Sequence, residues 1–194
     1  MESTKLLQHQ CGAVLIMNGA LQYLPHTDNH TTMSISFNGQ ERIKGKATQF
    51  ISLSLVSGVI ACRSLLEFLG IKYNNKQQTL VLRSGSRKDD ICIEKFQDVN
   101  GRSLEKVKPS IAIQFSTNPP QTEESLKLII NTANKKLAHL TTSNVIKLTD
   151  HKLLSLAGIV TLGLMDTYFY SLLGEQSSLL QTTNTTGKTS AQRK

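Results

Sequence analysis

Leu55, Val59, Cys62, Leu66 and Leu69 recur at steps of three and four residues. That spacing lays one apolar stripe along a helix, and such a stripe must be buried against another surface. Three more segments read the same way: Leu6, Leu7, Val14, Leu15, Leu21 and Leu24; Leu126, Ile129, Ile130, Ala133 and Leu137; and the run 153–173. Four stripes that must cover one another predict a helical bundle in a single domain over residues 1–174. Trp is absent and aromatics make up 5% of the chain, so Leu, Ile, Val and Ala must fill the core.

Element ends follow from local chemistry. Pro25 closes a first helix over residues 5–24. Residues 25–40 read as a loop with one short extended piece at Met33–Phe37. A long helix is expected from Glu41 to Leu69, stopped by Gly70, with Gly58 marking close approach of a neighbour. Residues 74–121 form the least helical part, a long irregular insertion between the second and third main helices. Thr79–Leu82 reads there as a short strand or turn, and Pro109, Pro119 and Pro120 exclude a long helix. An insertion of this length is either a functional flap or a set of short elements wrapped over the helices. Thr122 is expected to cap the third helix, with Glu123 and Glu124 at its positive end. Thr149 or Asp150 should cap the last. Residues 175–194, rich in Gln, Ser, Thr and Lys, predict a disordered basic tail.

The formal charge of +8 can attract an anionic partner, although it is spread along the chain. Cys11, Cys62 and Cys92 are widely separated, with no paired spacing. They argue against a disulfide framework or zinc site and suit a reducing cytoplasm, and Cys11 and Cys62, in apolar runs, read as buried thiols. The apolar run 50–69 carries Arg63 and Glu67, and the run 153–173 carries Asp166. Charges at that depth are costly in lipid, so no membrane partner is expected. His26, Asp28 and His30 in a loop, and Asp89, Asp90 and Glu94, read as chance groupings rather than a metal site. Phosphate-binding glycine loops and nucleophile elbows are absent.

The segment ACRSLLEFLG at 61–70 precedes NTANKKLAHLT at 131–141, and Lys88-Asp89-Asp90-Ile91 leads to Phe96 between them. Together they resemble a group of uncharacterised bacterial proteins with a HEPN-like helical fold. In that group an AR-x-LL-x-FL helix precedes an N-K-x-x-AHLT helix end. The resemblance spans about half the chain and implies an all-α bundle of four to five helices. Many HEPN domains are ribonucleases, with an arginine and, about one turn later, a histidine at a dimer interface. His139 matches that histidine, and Asn134 stands where the arginine would. Asn134 donates hydrogen bonds but carries no fixed charge to steady a phosphorane-like transition state.

The residues themselves add to this. Lys135 and His139 are spaced i, i+4, and Asn131 lies one turn earlier, so all three share a helical face. A cation beside an imidazole can bind phosphate while the imidazole serves as acid or base, and Lys136 adds charge. RNA cleavage through its own 2′-hydroxyl would need no cofactor. The plainer role for His139 is structural, at a helix C-terminus. Arg63 among Ala61, Cys62, Leu65 and Leu66 should need a carboxylate, either Glu67 or Asp166, in an ion pair locking two helices. Its functional alternative is an anion-binding group facing His139. Two functions follow as expectations. The first is a non-catalytic helical domain acting through protein contacts as a homodimer. The second is a metal-independent ribonuclease or RNA-binding protein in bacterial defence or a toxin–antitoxin system.

Overall fold

A computed structural model describes residues 2–28, 30–85, 87–137 and 150–175, with only the backbone given for 135–137. The described residues are mainly helical, but 15% of them are strand, chiefly in two small hairpins, so the all-α expectation is corrected. In order the elements are α1 (Glu2–Tyr23), β1 (Thr32–Phe37), β2 (Gln40–Lys46), α2 (Ala47–Phe68), β3 (Ile71–Asn74), β4 (Thr79–Leu82), α3 (Pro109–Ile113), α4 (Pro119–Asn131) and α5 (His151–Met165). The core forms where α1 lies along α2 and where α5 packs on α4, α1 and α2. Val14, Met17, Val59, Cys62, Leu65, Leu126, Ile129, Leu154 and Leu164 are all fully buried in it.

The expected helix from Glu41 begins six residues late because the chain first makes a hairpin. Asn38 and Gly39 both have positive φ, 52° and 76°. That Asn-Gly turn matches the twist of two antiparallel strands and commits residues 40–46 to pair with 32–37. A register shift between Ile35 and Ser36 places Arg42 at a bulge. From Ala47 the stripe expected from the sequence is buried: Leu55, Val59, Cys62, Leu66 and Leu69. Gly58 lies where α1 and α2 touch, and a Cβ there would overlap the Met17 side chain. Gly70, at φ +94°, then turns the chain out of the helix.

The insertion 74–121 wraps short elements over the end of α2. Arg83 N–H donates to Gly70 O at 2.7 Å, Val107 N–H to Leu69 O at 2.9 Å, and Val99 N–H to Leu172 O at 3.1 Å. It delivers Ile93, Leu104, Val107 and Ala112 into the core. Phe96 joins Phe68 and Phe169 edge-to-face, with centroids 5.0–5.7 Å apart. Its prolines, expected to exclude a long helix there, sit at helix starts. Pro109 opens α3, and Pro119 and Pro120 open α4, because the first turn of a helix has no partner for an N–H anyway. The α4 cap is therefore Asn118, which accepts from Gln121 N–H at 3.3 Å; Thr122 is buried one turn in and donates back to Asn118 O at 3.0 Å. Asp150 stands at the N-cap of α5, but no side-chain bond closes that cap. Beyond α5 the backbone widens into a π turn, Asp166–Tyr170, and Gly174 at φ +70° ends it. Of the expected tail, residues 175–194, all but Glu175 lies outside the described residues.

By length and composition, α2 and the segment His151–Tyr170 are long and apolar enough to cross a membrane. In this fold each buries one side in the shared core. Burial pushes the Cys11 thiol up to about 11 and the Cys62 thiol up to about 12, and the two sit among apolar neighbours as expected. Cys92 is buried as well.

Candidate functional site

The helix carrying the expected site is α4. Glu123, Glu124, Lys127, Leu128 and Asn131 recur at three- and four-residue steps and line one wall of an open pocket of about 440 Å³. Tyr73 from β3 and Asp150 and Leu153 at the start of α5 form the other wall. Lys127 is held by Glu123, Nζ to Oε1 at 2.6 Å. The Asn131 side-chain oxygen is buried without a hydrogen-bond partner among the described residues. Past Asn131 the helix widens into a π turn at Thr132–Leu137, an irregularity common at ligand sites. Asn134 is half-buried within it.

Of the expected constellation, the structure thus places Asn131 at this pocket and the backbones of Lys135 and Lys136 one turn beyond. The Lys135 and Lys136 side chains and the whole of His139 lie outside the described residues. Sequence reasoning missed Glu123, Glu124 and Asp150 as pocket walls. Because α4 begins at Pro119, Glu123 and Glu124 lie in its second turn and not at its positive end as expected, and only the fold sets α5 against them.

Arg63 sits elsewhere. Its guanidinium donates to Glu67 Oε1 at 3.0 Å, one turn along the same helix, with both side chains partly exposed. The expected clamp between two helices is corrected: the pair is internal to α2, and among the described residues Asp166 makes no ion pair with Arg63. The paired-aspartate loop is likewise self-contained. Asp90 is paired with Arg83 and accepts from Arg87 N–H, which holds its carboxyl below the usual range. Glu94 is bonded to Lys106 at 3.2 Å. Asp28 accepts from His30 N–H at 2.9 Å and Thr31 N–H at 2.7 Å, shaping the turn before β1.

A second surface was not anticipated. The β1–β2 ribbon leans only lightly on α2, and nearly all its residues are exposed. Strand alternation and the pairs Met33↔Gly45 and Ile35↔Ile43 put Met33, Ile35, Phe37 and Ile43 on one face. Met33 is 42% exposed, Ile43 47% and Phe37 59%. The pairs Thr32↔Lys46 and Ser34↔Lys44 put the lysines on the opposite face. Alternation of Met33, Ile35 and Phe37 before an Asn-Gly pair was the available sequence signal. Comparison with family models, curated proteins and solved structures gave no match.

Proposed function

We propose that this chain is a non-catalytic, HEPN-like helical domain of the cytoplasm that acts through protein contacts as a homodimer. The supporting observation is the bare apolar face of the β1–β2 ribbon. A two-stranded ribbon is marginal in water unless something covers its apolar side. Leu53, Val56 and Ile60 are further exposed apolar side chains, on α2. The ribbon lysines lie on the other face, so two copies can close apolar side to apolar side without burying charge.

The ribonuclease or RNA-binding reading keeps the support of the NTANKKLAHLT motif and the unpartnered Asn131 oxygen. Glu124 weighs against a polyanion in that pocket, where Lys127 is already held by Glu123.

Light scattering on the purified chain tests the first reading. The expected mass is twice the 21.4 kDa chain, falling to one chain for Ile43→Asp with helix content unchanged. A wild-type mass of one chain across micromolar concentrations contradicts it. Incubation with total RNA, with and without EDTA, tests the second: metal-independent cleavage lost in His139→Ala would replace the non-catalytic reading.

A further inference from the structure

Asn stands before Gly three times in this chain, at Asn18-Gly19, Asn38-Gly39 and Asn100-Gly101. Such a pair can react with itself. The Gly amide nitrogen gives its proton to solvent base and attacks Cγ of the Asn side chain, ammonia leaves, and a succinimide ring closes. Water then opens either carbonyl of the ring, leaving aspartate or isoaspartate. Gly favours closure because it has no Cβ to crowd the attack. The fold decides the rest, by leaving the Gly N–H free or tied and the backbone loose or fixed. Asn18 and Gly19 lie within α1, where the helical ladder engages the Gly19 N–H, and the Asn18 side-chain oxygen is buried against Gly158 of α5. Gly101 N–H donates to Asp98 O at 2.9 Å, while the Asp98 carboxylate accepts from the N–H groups of Asn100 at 2.8 Å and Arg102 at 2.9 Å. At the ribbon tip Asn38 and Gly39 are both exposed, and among the described residues neither the Gly39 N–H nor the Asn38 side chain makes a hydrogen bond. The ribbon has two strands and touches α2 lightly, so this turn opens more readily than a helix or a tied loop.

We propose that Asn38-Gly39 is a self-modifying site, at which the folded chain selectively loses ammonia, and that the isoaspartate product unpairs the ribbon. Isoaspartate routes the backbone through the side chain and adds one atom to a two-residue turn. That turn then no longer matches the twist of β1 and β2. Aspartate keeps the turn, since Asp-Gly suits it as Asn-Gly does. Strand pairing is what gathers Met33, Ile35, Phe37 and Ile43 on one face, so isoaspartate at position 38 disperses that face. The site thus limits the lifetime of the apolar face by chemistry built into the turn. Water is the one co-reactant, and no partner copy is needed.

Ageing the purified, folded chain in mildly alkaline buffer tests this, with amide-to-acid conversion followed peptide by peptide in the mass spectrometer. Conversion at Asn38 should run at least tenfold faster than at Asn100, with Asn18 slower still. In denaturant the three should convert at similar rates, which would show that the fold makes the selection. Equal rates at Asn38 and Asn100 in the folded chain, or a faster rate at Asn100, would overturn the site. Hydrogen exchange reads the consequence. In the isoaspartate fraction, peptides covering 32–46 should lose protection while those from α1 and α5 keep it. An isoaspartate fraction that exchanges like the fresh chain would overturn the unpairing. Asn38→Asp separates charge from backbone length and should keep the parent's exchange pattern; if it too lost protection, the added carboxylate and not the lengthened turn would be the cause, and the mechanism would fall.

Discussion

At Gly58 the missing side chain lets α1 and α2 touch, with Met17 filling the space a Cβ would need. Gly58→Val should therefore cost about 1–3 kcal/mol through overpacking. Gly12 is also helical but has open space where its Cβ would point, so Gly12→Ala should gain about 0.5–1 kcal/mol from backbone entropy. Urea midpoints compare the two, and equal shifts would remove the close helix contact from the account. Arg63 carries less weight than its apolar neighbours suggested. A partly exposed pair within one helix contributes under about 1 kcal/mol, so Arg63→Ala should lower stability by no more than that. A larger loss would show that the guanidinium holds two helices together after all. Gly58 was legible because a glycine inside an apolar stripe weakens its own helix and is tolerated where a neighbour needs the room. The partner of Arg63 was not, because a long, flexible side chain reaches along its own helix as readily as across a bundle.

Elements were legible where periodicity decides and obscured where turn chemistry does. The stripe of α2 and, among the described side chains, that of α4 are buried as their spacing requires, whereas in α1 the buried row is Leu7, Cys11, Val14, Met17 and Leu21 and the expected Leu6 is exposed. The start of α2 was misplaced because Glu41–Lys46 is too short to establish a period, and the Asn-Gly turn beside it settles the matter. The insertion could be read only as either a flap or a set of wrapped short elements because its order comes from tertiary contacts: Ile93, Leu104 and Val107 reach the core only once α2 offers its end. Part of that order is electrostatic. Hydrogen bonds and Arg83 depress the Asp90 carboxyl in the folded chain. A depressed folded value means the contribution is complete above the unfolded carboxylate range, near pH 4, and is lost as pH falls through the lower folded value. Asp90→Asn should thus lower the stability plateau above about pH 5 and flatten the acid limb of a stability–pH curve. An acid limb as steep as the parent's would show that Asp90 is not a linked group.

For the whole molecule, the sequence conveyed a helical body and concealed its most exposed feature. The candidate at the end of α4 was half legible: Asn131 lines a pocket, but the carboxylates opposite it become neighbours only through the packing of α5 on α4. The ribbon was hidden for the opposite reason, since its apolar residues are too few to look like a core and too exposed to need one. On the proposal made above, this ribbon is the molecule's contact device, covered by a second copy. Amide hydrogen exchange followed by mass spectrometry across a concentration series tests that most directly. Peptides covering 32–46 should gain protection as concentration rises through the dimerisation range, while peptides from α4 and α5 stay protected throughout. Exchange in 32–46 that is the same at every concentration, in a range where light scattering reports two chains, would contradict it.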